Sequence, residues 1–332
     1  MVEIVIDIAS KTIRMARRSS GHIMQESALA AVTHDGKKLN LTALGLAVKN
    51  RLGELAPGEL PVDPIKDGKI AHERAATLLF QALFERVVPR RFIIKPRVKA
   101  VALISSALQK QDKLKIEQVL LNAGASSVVL VESPFAAAAV IDKSHYLLVD
   151  IGGTKTEIAL LSGGKIVAGI TVGLGGDAVN TAISDYLTDT HGLVIKNLSA
   201  ERLKRTLGTL FAGDVRSANM GGMRAGDHAP YNVVVSADEL TGAITPIFEK
   251  LAEGIEGVLD QTPEKIAMEV YESGIQLFGG GALVEGVVEY FEKRTKMPTH
   301  LLKSPENVNI TGGLKLIEDR NALAGVLNLD KV

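Results

Sequence analysis

Two aspartates at the ends of apolar strands are the residues best placed to do chemistry. Asp150 closes the run Tyr146-Leu147-Leu148-Val149 and is followed by Ile151-Gly152-Gly153-Thr154-Lys155; the chain then returns as a second strand and, across Gly163-Gly164, a third. Glycines in such a turn let backbone N–H groups face an anion with no Cβ in the way, and the carboxylate can hold a metal ion. That is the geometry of a phosphate loop. A weaker copy opens the chain. There a strand over Glu3–Ile8 contains Asp7, the turn Ala9-Ser10-Lys11 follows, and a strand over Thr12–Ala16 leads to the turn Ser19-Ser20-Gly21. The two aspartates are 143 residues apart, a domain's length, so two similar lobes are expected to clamp one nucleotide between two hairpins. Two further glycine clusters fit the same chemistry: Gly175-Gly176-Asp177, and Gly279-Gly280-Gly281 between a strand over Gly274–Phe278 and a helix opening at Ala282 or Leu283.

The elements that must position these residues can be read from periodicity and punctuation. Val2 to Val32 reads as an antiparallel meander. Helices are predicted over Leu41–Leu52, His72–Val88 (ended by Pro89), Lys110–Asn122, Pro134–Val140, Ala178–Asp189 and Ala200–Thr209. KDGKIA reads as a short hairpin or turn. Strands over Val98–Ile104 and Val128–Val131 flank the third of these helices, a βαβ order that implies parallel pairing. NMGGMRAGDHAP reads as a loop or hairpin before a strand over Tyr231–Val235. Ser236 with Glu239 forms a capping-box signature for a helix over Asp238–Leu259, which Pro246 is expected to bend or divide.

Composition narrows the class. The chain has 332 residues, enough for two lobes, and its 46% hydrophobic and 23% charged content is that of a folded globular protein. With 38 basic and 38 acidic residues the formal charge is zero, so no global signal for nucleic acid exists. Cysteine is absent, which removes disulfides, thiolate metal sites and cysteine nucleophiles together. The seven histidines show no close metal-ligand pairing and no Ser-His-Asp order is discernible. No apolar run approaches the roughly 20 residues needed to span a bilayer, so a cytoplasmic location is expected.

In their order along the chain these segments resemble the actin-like ATPase superfamily and, within it, the MreB-type bacterial actins. The likeness is carried by ALGLAVKNRLG, IKDGKIA, KPRV, ESPFAAA, VDIGGTKTEIALL, GGDAVNTAI, AERLKRTLG, LTGAITPIFEKL and SGIQLFGGGALVEG. The resemblance implies an α/β actin-like (ribonuclease H-like) fold with two pseudo-duplicated lobes around a nucleotide cleft. Residues 1–31, 64–141 and 305–332 form the first lobe core and 32–63 its small inserted subdomain; 142–177 and 241–304 form the second core and 178–240 its insertion. It implies ATP, with GTP as an alternative, and Mg2+ held through water by Asp7 and Asp150. It also implies nucleotide contacts at Ser10, Lys11, Arg14, Gly152, Gly153, Thr154, Lys155, Gly175, Gly176, Asp177, Glu201, Lys204, Gly279, Gly280, Gly281, Ala282 and Leu283. Self-association into filaments and a role in cell shape or intracellular positioning follow from the family alone.

Departures from the family pattern bear on catalysis. The first loop, usually Asp-x-Gly-Thr, reads Asp7-Ile8-Ala9-Ser10, which adds a Cβ on the phosphate side. Arg14 stands where actin, though not MreB, carries a phosphate-contacting lysine. Ser133 replaces the glutamate or glutamine that orients the attacking water, and the adjacent Glu132 projects differently. In the second loop Thr154 replaces a glycine, and Lys155 replaces a threonine that assists catalysis; a lysine there either stabilises transferred charge or simply holds the nucleotide. Slow or impaired ATP hydrolysis is the expectation.

RRFIIKPR places Phe92, Ile93 and Ile94 among Arg90, Arg91, Lys95 and Arg97, a composition suited to an anionic membrane surface. MreB proteins carry a similar apolar membrane-binding loop before the KPRV-like strand, which would put the protein at the inner face of the membrane. The alternative is that Ile93 and Ile94 begin a buried strand. Two other functions compete with the filament. DIGGTKTE is close to the opening motif of ROK-type sugar kinases, but it lies mid-chain here, with neither their zinc cysteines nor a clear Gly-Asn-Asp segment. A non-polymerising or chaperone-type ATPase of the same fold is the other; the roughly fifty residues after GGGAL are expected to leave no room for a substrate-binding extension.

Overall fold

A computed structural model describes residues 1–36, 38–88 and 96–329. The chain forms two compact units, Met1–Asp142 with Asn307–Val332, and Lys143–Glu306.

In the first unit β1 (Val2–Ile8), β2 (Thr12–Arg17) and β3 (Ile23–Ser27) form the expected meander. β4 (Ala30–Asp35) and β5 (Lys38–Leu44) form a separate hairpin, followed by the single helical turn α1 (Leu46–Lys49). The helix expected over Leu41–Leu52 therefore loses its first residues to a strand. Leu39 and Leu44 are buried as parts of a strand paired with β4, and Gly45 sits at φ 63°, a left-handed conformation that separates strand from helix. β6 (Leu60–Val62) completes that small sheet, and β7 (Ile65–Lys66) with β8 (Lys69–Ile70) forms the KDGK hairpin around Asp67 and Gly68, both at positive φ. Helix α2 (Glu73–Val87) and α3 (Lys110–Asn122) pack on one face of the main sheet, whose remaining strands are β9 (Val98–Ile104) and β10 (Ser127–Glu132), paired in parallel as the βαβ order requires. α4 (Ser133–Ala138) leaves the end of β10 directly.

The second unit repeats the plan. β11 (His145–Ile151), β12 (Thr156–Ser162) and β13 (Lys165–Val172) form an antiparallel meander. Helix α5 (Gly176–His191), β14 (Leu193–Val194), α6 (Asn197–Leu207) and the hairpin β15 (Ser217–Arg224) and β16 (Pro230–Ser236) come next. NMGGMR is thus strand, with only the residues after Arg224 in the turn. α7 (Ala237–Asp260) starts on the complete capping box, Ser236 and Glu239 each bonding the other's backbone N–H. It continues through Pro246 as one helix, so the proline does not divide it; the apolar stripe Leu240, Ile244, Phe248, Leu251 and Ile255 is fully buried and outweighs the lost hydrogen bond. α8 (Glu264–Ser273) leads to β17 (Ile275–Phe278), which pairs in parallel with β11, and α9 (Val287–Thr295) leads to β18 (Thr299–Leu301) beside β17. The glycine-rich junction opens as a 3-10 turn over Gly280–Leu283, and the helix proper begins only at Val287, after Gly286 at φ 80°. The chain returns to the first unit with α10 (Val308–Glu318) and α11 (Arg320–Leu329).

The two main sheets have the same order, β3-β2-β1-β9-β10 and β13-β12-β11-β17-β18. In each, a meander's first strand is central and has a parallel neighbour on its other side. Each aspartate ends that central strand, and this repeat, together with the helices over the sheets, is the α/β actin-like arrangement.

Candidate nucleotide site

In the second unit the turn after Asp150 is built by close backbone contact. The Gly152 amide donates to the Lys155 carbonyl at 2.9 Å and closes the turn. Its carbonyls then dock on the start of α5: the Gly176 amide donates to Gly152 at 3.0 Å and the Asp177 amide to Gly153 at 2.7 Å. Thr156 adds a hydroxyl bond to the Leu174 carbonyl at 2.7 Å. Gly175 is what permits this approach. A Cβ there would lie 2.6 Å from the Gly152 oxygen, 2.8 Å from the Lys155 nitrogen and 2.9 Å from the Gly153 oxygen, all backbone atoms that cannot step aside. On the other side Gly279, at φ 88°, passes so near that a Cβ would meet an Asp150 carboxylate oxygen and lie 2.5 Å from the Ile151 carbonyl. Gly281 packs on the Ile151 side chain.

Other predicted residues gather around this frame. Glu201 and Lys204 both lie on α6, and the Lys204 ammonium donates to the Gly176 carbonyl at 2.9 Å. Gly280, Gly281, Ala282 and Leu283 make the 3-10 turn, with Ala282 buried and Leu283 exposed. Asp150, Gly152, Gly153, Thr154 and Lys155 are all half-buried.

The first unit's loop is held by side chains. Asp7 pairs in register with Arg14 across the β1–β2 ladder, and a guanidinium nitrogen lies 3.7 Å from its carboxylate. Burial pushes the Asp7 carboxyl up to about 6, and Arg14 only partly opposes this. The Arg14 Nε is itself buried with no hydrogen-bond partner. Ser10 accepts a hydrogen bond from the Gly68 amide at 2.8 Å, so the loop is tied to the β7–β8 hairpin. The Lys11 side chain is exposed, while its carbonyl accepts from Ala28 at 2.9 Å. Sequence reading identified KDGK as a turn but not as the partner of Ser10; the Asp67-Gly68 pair was the available signal.

The residues predicted for catalysis, Ser133 and Glu132, are engaged within the protein. The buried Ser133 hydroxyl donates to the Ile104 carbonyl at 3.0 Å, and Glu132 pairs with the Lys113 ammonium at 2.8 Å. Phe92, Ile93 and Ile94 lie outside the described residues.

The amides of Gly152, Gly176 and Asp177 are spent within this frame, so a nucleotide's phosphates would meet the turn at Gly153, where no Cβ stands in the way. Magnesium fits the donor chemistry as well: it takes one or two carboxylates, with phosphate oxygens and water completing the octahedron. No group of three acidic or histidine side chains that could hold a metal ion is gathered among the described residues.

Comparison with known proteins agrees with this geometry. The profile of the MreB/Mbl protein family matches residues 1–325. The cell shape-determining protein MreB of Escherichia coli strain K12 is 26% identical over 324 residues, covering 95% of this chain and 93% of the relative. The cell shape-determining protein Mbl of Bacillus cereus is 25% identical over 329 residues, covering 97% of each. Among solved structures, MreB5 of Spiroplasma citri bound to ADP superposes with a TM-score of 0.88 at 25% identity, covering 97% of each chain. A MamK double helical filament superposes at 0.82 and 17% identity, covering 96% of this chain and 99% of that one, which speaks for the fold. No helix among the described residues is long and apolar enough to cross a membrane. With its duplicated sheets, its acidic strand ends and a family match over nearly its whole length, the chain belongs to the MreB/Mbl family of actin-like proteins.

Proposed function

We propose that this chain is a nucleotide-dependent filament subunit that binds ATP with magnesium and hydrolyses it slowly or not at all. The observation that carries the reading is the docking of the Gly152–Lys155 turn on the first amides of α5. It fixes open backbone beside Asp150, with Lys155 on the same turn. GTP is the alternative nucleotide. Relatives support ATP and filament formation: MreB5 of Spiroplasma citri was crystallised with ADP and with AMPPNP, and MamK forms a double helical filament. The relatives named for determining cell shape point to a role in shape or intracellular positioning. Contact with an anionic membrane through Phe92–Ile94 belongs to the same proposal, as does division of each unit into a core and a smaller insertion.

In this reading Asp150 would hold magnesium through water, which when bound neutralises phosphate charge, and Asp7 is the corresponding acidic strand end of the first unit. Backbone at Gly153 faces the phosphates, Lys155 adds a cation, and Glu201 with Lys204 takes the ribose and base. The weak step is positioning of water. Ser133 gives its proton to Ile104, and Glu132 is neutralised by Lys113. Neither therefore presents a base, and general-base assistance of about 100-fold or more is absent.

Two measurements test this. Electron microscopy of the purified protein with ATP, with GTP and with neither should show polymers only with nucleotide. Phosphate release by the wild type should be slow and rise about tenfold or more in Ser133→Glu, which restores a carboxylate at that position. A wild type already as fast as the variant would overturn the slow-hydrolysis reading.

A further inference from the structure

The zero net charge of the chain hides a segregation. The first unit carries 23 Lys and Arg against 17 Asp and Glu, a formal +6, and the second carries 15 against 21, a formal −6. We propose that these opposite charges select contact between the acidic unit of one copy and the basic unit of the next, and make self-association strongly dependent on salt. The inference rests on the filament reading above and adds what steers it.

Charge complementarity identifies the partner. An anionic lipid surface attracts only the first unit, in which Arg90, Arg91, Lys95 and Arg97 are concentrated, and repels the second. A second copy satisfies both. Like-with-like pairing places −6 against −6 or +6 against +6, whereas unlike contact is attractive at every step and can be repeated indefinitely, as a heterologous interface requires. Long-range charge chiefly sets encounter rate and rejects wrong orientations, and short-range apolar contact then holds the complex. Both units have exposed apolar side chains for that purpose: Leu46, Leu60 and Leu114 in the basic one, Val215, Val234 and Met268 in the acidic one. The acidity of the second unit is available to a partner on α7, where Glu253 and Asp260 are both exposed.

The test is sedimentation of the full-length protein with ATP and magnesium across added KCl. Between about 0.1 M and about 1 M salt the screening length falls from about 10 Å to about 3 Å, and the critical concentration for assembly should rise at least about fivefold. The double variant Glu253→Lys, Asp260→Lys brings the second unit to −2. It should need more protein to assemble at low salt and should lose most of the salt dependence, while its melting temperature and nucleotide binding stay at wild-type values. The neutral pair Glu253→Gln, Asp260→Asn should fall between. Wild-type polymers indifferent to salt, or a lysine variant assembling like the wild type, would overturn the inference and leave the filament reading intact. Assembly seen only on phosphatidylglycerol vesicles would name lipid as the partner of the basic unit and also overturn it. Failure to assemble with ATP, GTP or neither at any salt would remove the filament reading, and the inference with it.

Discussion

The two loops share a strand plan but not a means of support. After Asp150 the chain is held chiefly by backbone pressed on backbone, with Gly175 and Gly279 filling space that no side chain can share, and Thr156 and Lys204 add bonds to backbone carbonyls. After Asp7 it is held by side chains: Arg14 beside the carboxylate and the Ser10 hydroxyl on Gly68. The first arrangement leaves no room for a Cβ at Gly175 or Gly279, whereas the second engages the Arg14 and Ser10 side chains. The duplicated architecture thus supports its two acidic loops differently: in the reading proposed above the loop after Asp150 receives the anion, while Arg14 stands as a counter-charge beside Asp7. Binding should depend mainly on the second loop, and pH and local stability should report mainly on the first.

The largest effect is expected where backbone contact is closest. Gly175→Val puts side-chain atoms among three backbone atoms of the phosphate turn and should weaken binding of an ATP analogue by more than about 100-fold in titration calorimetry, since the turn must move by an ångström or more. Gly163→Ala in the neighbouring β12–β13 turn is the control. A Cβ there meets nothing within 4 Å, and its φ of 57° leaves a cost of about 1 kcal/mol in stability with nucleotide affinity unchanged. Equal losses of affinity in the two variants would mean that general destabilisation, not the turn's geometry, governs binding.

A smaller effect should come from Asp7. Its folded carboxyl titrates near 6 against an ordinary 3.8 because it is buried. The native state therefore holds this proton more tightly than the unfolded chain, and the associated stability is fully present below about pH 4. It is lost as pH rises through 6, by on the order of 3 kcal/mol. Urea unfolding of the nucleotide-free and metal-free protein should show this slope, and Asp7→Asn should flatten it. Because Glu3, which Arg18 holds below the usual carboxylate range, slopes in the opposite direction, the difference between variant and wild type is the quantity to read. A variant as pH-dependent as the wild type would break the contrast drawn between the loops.

Much of this contrast is visible in residue types, and part of it is not. The sheets were legible because their strands are near-continuous Val, Ile and Leu runs, and α3 was legible to the residue because its apolar positions recur at helical spacing between clear stops. Leu41–Leu44 was misread because LTALGLAV satisfies a helical period as well as a strand, and only pairing with β4 decides between them. Pro246 does not divide α7, since a buried stripe on both sides of it can hold a helix together locally. The aspartates and glycines of the proposed site can be picked out from composition and spacing. Their supports could not: that Gly175 touches Gly152 and Ser10 touches Gly68 are contacts between residues far apart in sequence, and no local pattern encodes them.

The smallest expected effect isolates that last contact. Ser10→Ala deletes the acceptor for the Gly68 amide, a bond between partly buried groups, and should cost about 1 kcal/mol of stability. Hydrogen exchange should locate the loss at Gly68 and its neighbours in the β7–β8 hairpin, because the orphaned amide must find water. The second unit should be unaffected, since the deleted bond lies wholly within the first unit. Ser10→Thr keeps the acceptor and should retain most of the protection at Gly68. If alanine leaves exchange there unchanged, Ser10 does not anchor the hairpin, and the first loop is held by Asp7 and Arg14 alone.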